Sequence, residues 1–85
     1  MSRDESLELL PPLFSEIARA FSDHPEKVRA QIYRDDRSLV LEVSVHGEDI
    51  GRVIGRAGRT AAAMRALLDA GTRFEQERVH LEIVG

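Results

Sequence analysis

The chain has 85 residues, a hydrophobic fraction of 42% and a net charge of −3, so it has room for one folded domain with a modest core but not for a second catalytic lobe. It contains no cysteine, which excludes disulfides and zinc sites built on thiolates. No apolar run reaches the length of a membrane span and the N-terminus lacks the pattern of a signal peptide, so we expect a cytoplasmic protein with no membrane partner.

Near the N-terminus, apolar residues recur at helical spacing and predict an amphipathic helix over about 5–22. Pro11 and Pro12 suit a first helical turn, so the regular part of this helix is expected to begin near Pro11, with residues 1–9 frayed or in a separate turn. Pro25 then ends the helical region because it disfavours helical geometry at the residue before it.

Two runs of alternating apolar and polar residues, 28–34 and 39–46, follow and predict two strands. The segment 35–38 between them has the residues of a tight turn, so the two strands are expected to form an antiparallel hairpin. A third alternating run, 78–84, predicts the last strand.

Two helices are predicted between the second and third strands. The first covers 49–54 and ends at Gly55, and the second begins after Gly58 and extends to about Phe74. The predicted apolar stripe of this second helix consists of Thr60, Met64, Leu67 and Leu68. The complete order is α-β-β-α-α-β, which indicates a single α+β domain over 1–85, with a three-stranded sheet covered by helices on one face.

Positive charge is concentrated in the segment 50–73. It holds five arginines against one acidic residue, a local charge of +4, while the remainder of the chain carries −7. A basic stripe on an acidic body can still bind a polyanion. For Arg65 and Arg73 a solvated helix face is the preferred interpretation, and for Arg52 a solvated position and a contact with the polyanion are equally compatible with the sequence.

Glycines mark the joint between these two helices, which reads Gly55-Arg56-Ala57-Gly58. A glycine that ends a helix can adopt positive φ without steric cost. A glycine that begins the next helix leaves the first backbone N–H groups uncovered, and these suit a phosphate oxygen. Arg56 and Arg59 would flank that anion with charge-assisted hydrogen bonds. The alternative is a tight turn that binds nothing.

The segment "VIGRAGRTAAAMR" resembles the Ile-Gly-x-x-Gly loop of KH domains, and the order α-β-β-α-α-β is that of the type II KH fold. The likeness covers nearly the whole chain and extends through "DHPEKVRA", "VSVHGEDIGRVIGRAGRTAAAMRALL" and "ERVHLEIVG". In length and sequence the chain is similar to the small bacterial stand-alone KH proteins of the KhpA-like family.

This resemblance implies non-catalytic binding of single-stranded RNA, as an RNA chaperone or post-transcriptional regulator, with no cofactor and no metal. In KH domains the loop holds the backbone of about four nucleotides while the bases lie in an adjacent apolar groove. Exposed positions of the second strand are expected to form the opposite wall of this groove. A homodimer and a larger KH-containing protein are the implied protein partners. Carried onto this chain, the implied RNA-binding residues are Ile50, Arg52, Val53, Ile54, Gly55, Arg56, Ala57, Gly58, Arg59 and Thr60.

Two other functions are alternatives to RNA binding. A nucleotide-binding enzyme is rejected, because the joint fails the G-x-x-x-x-G-K-[ST] pattern and no nucleophile, base and orienting group occur together. A KH-fold protein adaptor with weak or no RNA binding remains the alternative.

The alanines of the last helix and the three histidines have simple structural interpretations. Alanines 61, 62, 63, 66 and 70 are explained by helix propensity or, alternatively, by close packing against a second copy. His24, His46 and His80 are interpreted as surface residues without partners or metal-ligand spacing.

Overall fold

Three α-helices and three β-strands lie between Leu10 and Val84 in the computed structural model, which describes residues 7–85. Their order is the predicted α-β-β-α-α-β, and the α+β class is confirmed. The elements are α1 (Leu10–Ala20), β1 (Arg29–Asp35), β2 (Ser38–Ser44), α2 (Ile50–Ile54), α3 (Arg59–Gly71) and β3 (Val79–Val84).

The proline pair lies in the first turn of α1, where a missing N–H costs nothing. The side chains of Phe14 and Ala18 are buried where this helix packs against the sheet. The helix ends at Ala20, and the Ser22 hydroxyl donates to the carbonyl of Ala18 at 2.7 Å beyond that end. The predicted range of 5–22 therefore extends two residues too far at its C-terminal end. Of that range and of the segment 1–9 expected to fray, residues 1–6 lie outside the described part of the chain.

The hairpin of β1 and β2 is confirmed, with Asp35 paired to Ser38 across a two-residue turn. Asp36 in this turn has φ +53°, a left-handed conformation that aspartate tolerates better than most residues. β3 lies on the other side of β2 and runs parallel to it. A parallel pair needs a long crossover connection, and here α2 and α3 supply it.

The core lies between the helices and one face of the sheet, as predicted. Its fully buried side chains come from every layer of the fold: Phe14, Val28, Leu41, Val43, Val53 and Leu68. The opposite face of the sheet is largely polar and exposed, and there the Tyr33 hydroxyl donates to Glu82 at 3.2 Å. All three helices therefore pack on one side of the sheet.

Helix α3 differs from its prediction at its end and along its buried stripe. It stops at Gly71 instead of continuing to Phe74, and the Thr72 hydroxyl bonds the carbonyl of Leu68 at 2.7 Å. Leu67 lies on the apolar side of the helix beside Met64 but is 46% exposed, so the predicted stripe is buried only in part. The buried positions are Ala61, Met64 and Leu68.

Within residues 7–85, no helix is both long and apolar enough to cross a bilayer.

Candidate nucleic-acid interface

The loop Gly55-Arg56-Ala57-Gly58, called the clamp loop below, joins α2 to α3 through three residues with positive φ. Gly55 ends α2 with φ +85°, Ala57 has φ +55°, and Gly58 precedes α3 with φ +71°. The N–H of Gly58 donates to the carbonyl of Gly55 at 3.0 Å, which holds the loop as a single tight turn. L-residues rarely adopt such angles, so this backbone shape depends on the glycines.

Gly55 is required for two independent reasons. Its φ and ψ of 85° and 166° fall in a region that is essentially restricted to glycine. In addition, a Cβ at this position would lie 2.4 Å from the Thr60 Oγ1 atom and 2.9 Å from the Thr60 Cβ. At Gly58 a Cβ would meet no atom within 4 Å, so only the positive φ favours glycine there. The space outside Gly58 is open for a ligand to approach.

The positive charge of the loop is exposed and available. No side chain caps the start of α3, so its first N–H groups have no capping acceptor there. Arg56 and Arg59 are exposed, and within residues 7–85 neither forms an ion pair. Arg52 differs from them, since its Nη2 atom lies 3.1 Å from the Asp23 carboxylate. The loop therefore combines free cations with uncapped N–H groups, which is the chemistry that binds an anion.

The apolar residues of α2 have unequal access to solvent. Ile50 and Ile54 are half-buried, whereas Val53 is completely buried. The Val53 side chain belongs to the core and cannot contact RNA directly, so its place among the predicted RNA-contacting residues is corrected. Thr60 is half-buried and packs directly against Gly55.

The strand beside α2 is β3, which was not expected from the sequence. β2 is the central strand and pairs on both edges, so it cannot offer an edge to a groove. β3 has a free edge, and its end reaches α2, since a Cβ on Gly85 would lie 3.3 Å from the Cδ1 atom of Ile50. An apolar groove next to the clamp loop would therefore be bordered by α2 and β3.

A buried carboxylate holds the start of α2 in place. Asp49 is only 1% exposed, and its Oδ2 atom accepts hydrogen bonds from the backbone N–H of His24 at 2.9 Å and from His24 Nδ1 at 3.1 Å. Burial by itself would raise the pKa of Asp49, but these bonds and one from the backbone N–H of Asp23 outweigh it and hold that pKa below its usual value. Asp49 therefore anchors the start of α2 through hydrogen bonds, in addition to favouring a helix start through its charge.

The rings of His24 and His46 stack at 4.0 Å with an interplanar angle of 16°. The interpretation of these two residues as surface groups without partners was therefore wrong. Together with Glu48 they place three possible metal ligands within 4.8 Å of one another. The stacked rings lie in nearly parallel planes, however, so their nitrogen lone pairs do not converge on one point. His46 Nδ1 also accepts a hydrogen bond from the Glu48 N–H at 3.1 Å, and the arrangement as it stands gives no coordination geometry.

Comparison with known proteins identifies a family. The family model described as "KhpA/KhpB, KH domain" matches residues 13–83. The chain is 44% identical over 72 residues to the RNA-binding protein KhpA of Halalkalibacterium halodurans, covering 85% of this chain and 95% of that protein. It is 42% identical over 76 residues to the RNA-binding protein KhpA of Leifsonia xyli subsp. xyli, covering 89% and 97%.

A third relative is the RNA-binding protein KhpA of Listeria monocytogenes, which is 40% identical over 72 residues, covering 85% of this chain and 95% of that protein. No solved structure gives a significant match. The matched segment covers the six elements from α1 to β3 apart from the first three residues of α1 and the last residue of β3, and the clamp loop lies within it. The chain therefore belongs to the KhpA/KhpB family of KH domains.

Proposed function

We propose that this chain binds single-stranded RNA without catalysing a reaction, and that the clamp loop holds the sugar-phosphate backbone. Membership of the KhpA/KhpB family supports the proposal, as do three relatives that are named RNA-binding proteins. The role we propose is that of a cytoplasmic RNA chaperone or post-transcriptional regulator.

One observation carries the proposal. The clamp loop exposes a backbone with positive φ at Gly55 and Gly58, directly before a helix whose start has no side-chain cap, and its neighbours Arg56 and Arg59 form no ion pair within residues 7–85. A phosphate that approaches this loop meets no side chain at Gly58 and receives hydrogen bonds from N–H groups and guanidinium groups. Bases would then lie against Ile50 and Ile54, where aliphatic contacts predominate.

A paired substitution in the loop tests this function. Arg56→Asp with Ala57→Asp places two carboxylates where the phosphate would lie. The fold should tolerate the change, since both positions are exposed and aspartate accepts the positive φ of Ala57 better than most residues. Binding of a pool of short single-stranded RNA would be measured at two salt concentrations, with circular dichroism as the test of folding.

The matched control is Arg37→Asp with Gln76→Asp, which changes the net charge by the same amount at two exposed positions outside the loop. We expect the wild type and the control to bind, with affinity that falls as salt is added, and the folded loop variant to lose binding. Equal binding by the folded loop variant and the wild type would contradict the proposed site, and absence of binding by the wild type would contradict the function.

The protein-adaptor function is a second candidate because the surface carries an apolar groove that extends from Arg59 and Thr60, directly after the clamp loop, to Leu67. This groove lies between α1 and α3, has a volume of about 280 Å³ and includes Ile17, Phe21, Ala63, Met64 and Leu67. Its proposed occupant is a second copy of the chain, and a larger KH-containing protein is the other proposed partner. Sedimentation of the wild type and of Leu67→Glu tests the homodimer, which predicts a shift to monomer in the variant.

A further inference from the structure

The edge of the sheet formed by β1 is open. β1 pairs with β2 on one side, and within residues 7–85 no strand pairs with its other side. Ala30 and Ile32 are half-buried, and the other residues of β1 are exposed. An open edge presents backbone N–H and C=O groups that can pair with a strand of another chain.

The hydrogen bonds of the sheet show which groups of β1 point outward. The N–H of Leu39 donates to the carbonyl of Arg78, immediately before β3, at 3.1 Å, so it does not bond Arg34, the β1 residue opposite it. Along an antiparallel pair, hydrogen-bonded and non-hydrogen-bonded positions alternate. The N–H and C=O groups of Ala30, Ile32 and Arg34 therefore point away from β2, toward the open edge.

A second copy of β1 fits this edge in an antiparallel register centred on Ile32. In this register Ile32 lies opposite its own counterpart, and Ala30 lies opposite Arg34 of the other copy. These are the residues whose backbone groups point outward, so each opposed pair can exchange both of its hydrogen bonds. The small side chain of Ala30 also leaves room for the arginine opposite it.

The charges of β1 favour this register over its neighbours. It places Arg29 opposite Asp35 of the other copy, and neither residue has an ion pair in the part of the chain that the structure describes. A register centred on Arg34 would place two guanidinium groups opposite each other, which destabilises a strand pair. A register centred on Ala30 would pair few residues, because β1 begins at Arg29.

We propose that β1 is an interface between two copies of this chain, with the two strands antiparallel and centred on Ile32. The contact is isologous and joins the two sheets into one, with the helices of both copies on the same face. Ile32 packs against the core of its own chain, so its contact with its counterpart extends that core. The inference goes beyond the proposed RNA binding and does not depend on it. Since α2 and α3 contact β3 at the opposite edge of the sheet, both clamp loops stay free for RNA.

This interface is separate from the groove between α1 and α3, because no residue of β1 lines that groove. In Leu67→Glu the groove contact alone predicts a monomer, whereas the β1 interface predicts that a dimer remains. Sedimentation equilibrium of Leu67→Glu over a range of protein concentrations distinguishes these results. A monomer at every concentration overturns the inference and leaves the proposed RNA binding untouched.

An exchange of charges in the Leu67→Glu protein tests the register. Arg29→Asp places two carboxylates opposite each other, and Asp35→Arg places two guanidinium groups opposite each other, so each should raise the dissociation constant of the dimer about tenfold. The two substitutions together restore opposite charges and should return the constant to within about threefold of its starting value.

The combined variant contains its own control. It lacks the hydrogen bonds that Arg29 donates to the carbonyls of Glu26 and Val28, so its recovery cannot come from them. Arg73→Asp, an exposed position outside β1, is the matched single change and should leave the dissociation constant unchanged. Thermal unfolding confirms that each variant is folded. A folded combined variant that stays as weak as the single variants overturns the proposed register.

Amide hydrogen exchange gives a readout at single residues. The N–H groups of Ala30, Ile32 and Arg34 face the open edge and should exchange rapidly in the monomer, whereas those of Gln31 and Tyr33 bond to β2 and should exchange slowly. Above the dissociation constant of the dimer, exchange at the three outward amides should slow by at least about tenfold. Unchanged exchange at these amides in a dimeric protein places the contact elsewhere and overturns the inference.

Discussion

The Oδ2 atom of Asp49 accepts two hydrogen bonds from one residue, His24, at 2.9 Å from its backbone nitrogen and 3.1 Å from Nδ1. These residues are 25 positions apart, one in the loop after α1 and the other immediately before α2. Because α2 leads directly into the clamp loop, this contact connects the loop's position to the first helix. Buried polar groups that are fully bonded in this way define one packing arrangement.

The first prediction concerns removal of this carboxylate. Asp49→Ala leaves the N–H of His24 without its acceptor in a site that is 1% exposed, so we expect the melting temperature to fall by several degrees. Asp49→Asn retains one carbonyl oxygen and should have a smaller effect. Displacement of α2 should also weaken RNA binding in the alanine variant.

Thermal unfolding followed by circular dichroism measures this change. Asp23→Ala is the control, since it removes a neighbouring carboxylate that is 59% exposed and bonded to Arg52 at the surface. Exposed ion pairs contribute little, so its melting temperature should stay near that of the wild type. Equal melting temperatures for Asp49→Ala and Asp23→Ala would contradict the structural role of Asp49.

The second prediction concerns acid. The pKa of Asp49 in the folded protein lies below its usual value, so the unfolded chain takes up a proton at this carboxyl more readily than the folded chain does. Its contribution to stability is fully present above the unfolded pKa of about 3.9 and is lost as the pH falls through the folded pKa. The stability difference between the wild type and Asp49→Asn should therefore shrink as the pH falls from about 5 to about 2.

Urea denaturation at a series of pH values checks this prediction. Glu77 also has a lowered pKa, because Arg34 donates a hydrogen bond to it, but it is present in both proteins and cancels in the difference. A difference that stays constant over this pH range would show that Asp49 does not titrate in linkage with folding.

The third prediction ranks the two glycines of the clamp loop. Gly55→Ala meets both a glycine-only conformation and a contact of 2.4 Å with Thr60 Oγ1, so we expect a loss of about 3 kcal/mol in the free energy of unfolding. Gly58→Ala meets only the positive φ, in open space, and should lose about 1 kcal/mol. Urea denaturation measures both values. The ranking fails if Gly58→Ala is the more destabilised protein.

The Gly58→Ala substitution should affect RNA binding more than it affects stability. Gly58→Ala remains folded but adds a methyl group on the surface that a phosphate would approach, so its affinity for RNA should fall more than its stability does. Titration with RNA at a temperature where the variant is fully folded separates the two effects. Unchanged affinity would place the phosphate elsewhere on the loop.

The fourth prediction uses two adjacent leucines of α3. Leu68 is 1% exposed, so Leu68→Ala should reduce the free energy of unfolding by about 2–5 kcal/mol through lost burial and a cavity. Leu67 is 46% exposed, so Leu67→Ala should change it by no more than about 0.5 kcal/mol. Urea denaturation at low protein concentration measures both values. If the two variants lose the same free energy of unfolding, Leu67 is buried in the protein as Leu68 is.

Features that depend on neighbouring residues could be predicted from the sequence. The alternation of 28–34 and 39–46 with a turn between them predicts a hairpin, because side chains on a strand point alternately to two faces. The positive φ at Gly55 follows from the same kind of local argument, since a glycine that ends a helix can adopt positive φ without steric cost.

Features that depend on distant residues were missed or misplaced. Helical spacing puts both Leu67 and Leu68 near the apolar side of α3, and only the positions of α1 and the sheet leave Leu67 at the rim of a groove. Val53 has the same local pattern as Ile54, yet packing of α2 against the core buries it completely.

The sequence alone therefore determines the order of the elements, the hairpin and the glycine joint, because each depends on steric and hydrogen-bonding preferences within a few residues. The tertiary structure alone decides that β3 borders α2, that His24 bonds Asp49, and that Arg65 and Arg78 share a groove. These contacts bring together residues 13 or more positions apart, and they form only when burial of the common core places the helices on one face of the sheet.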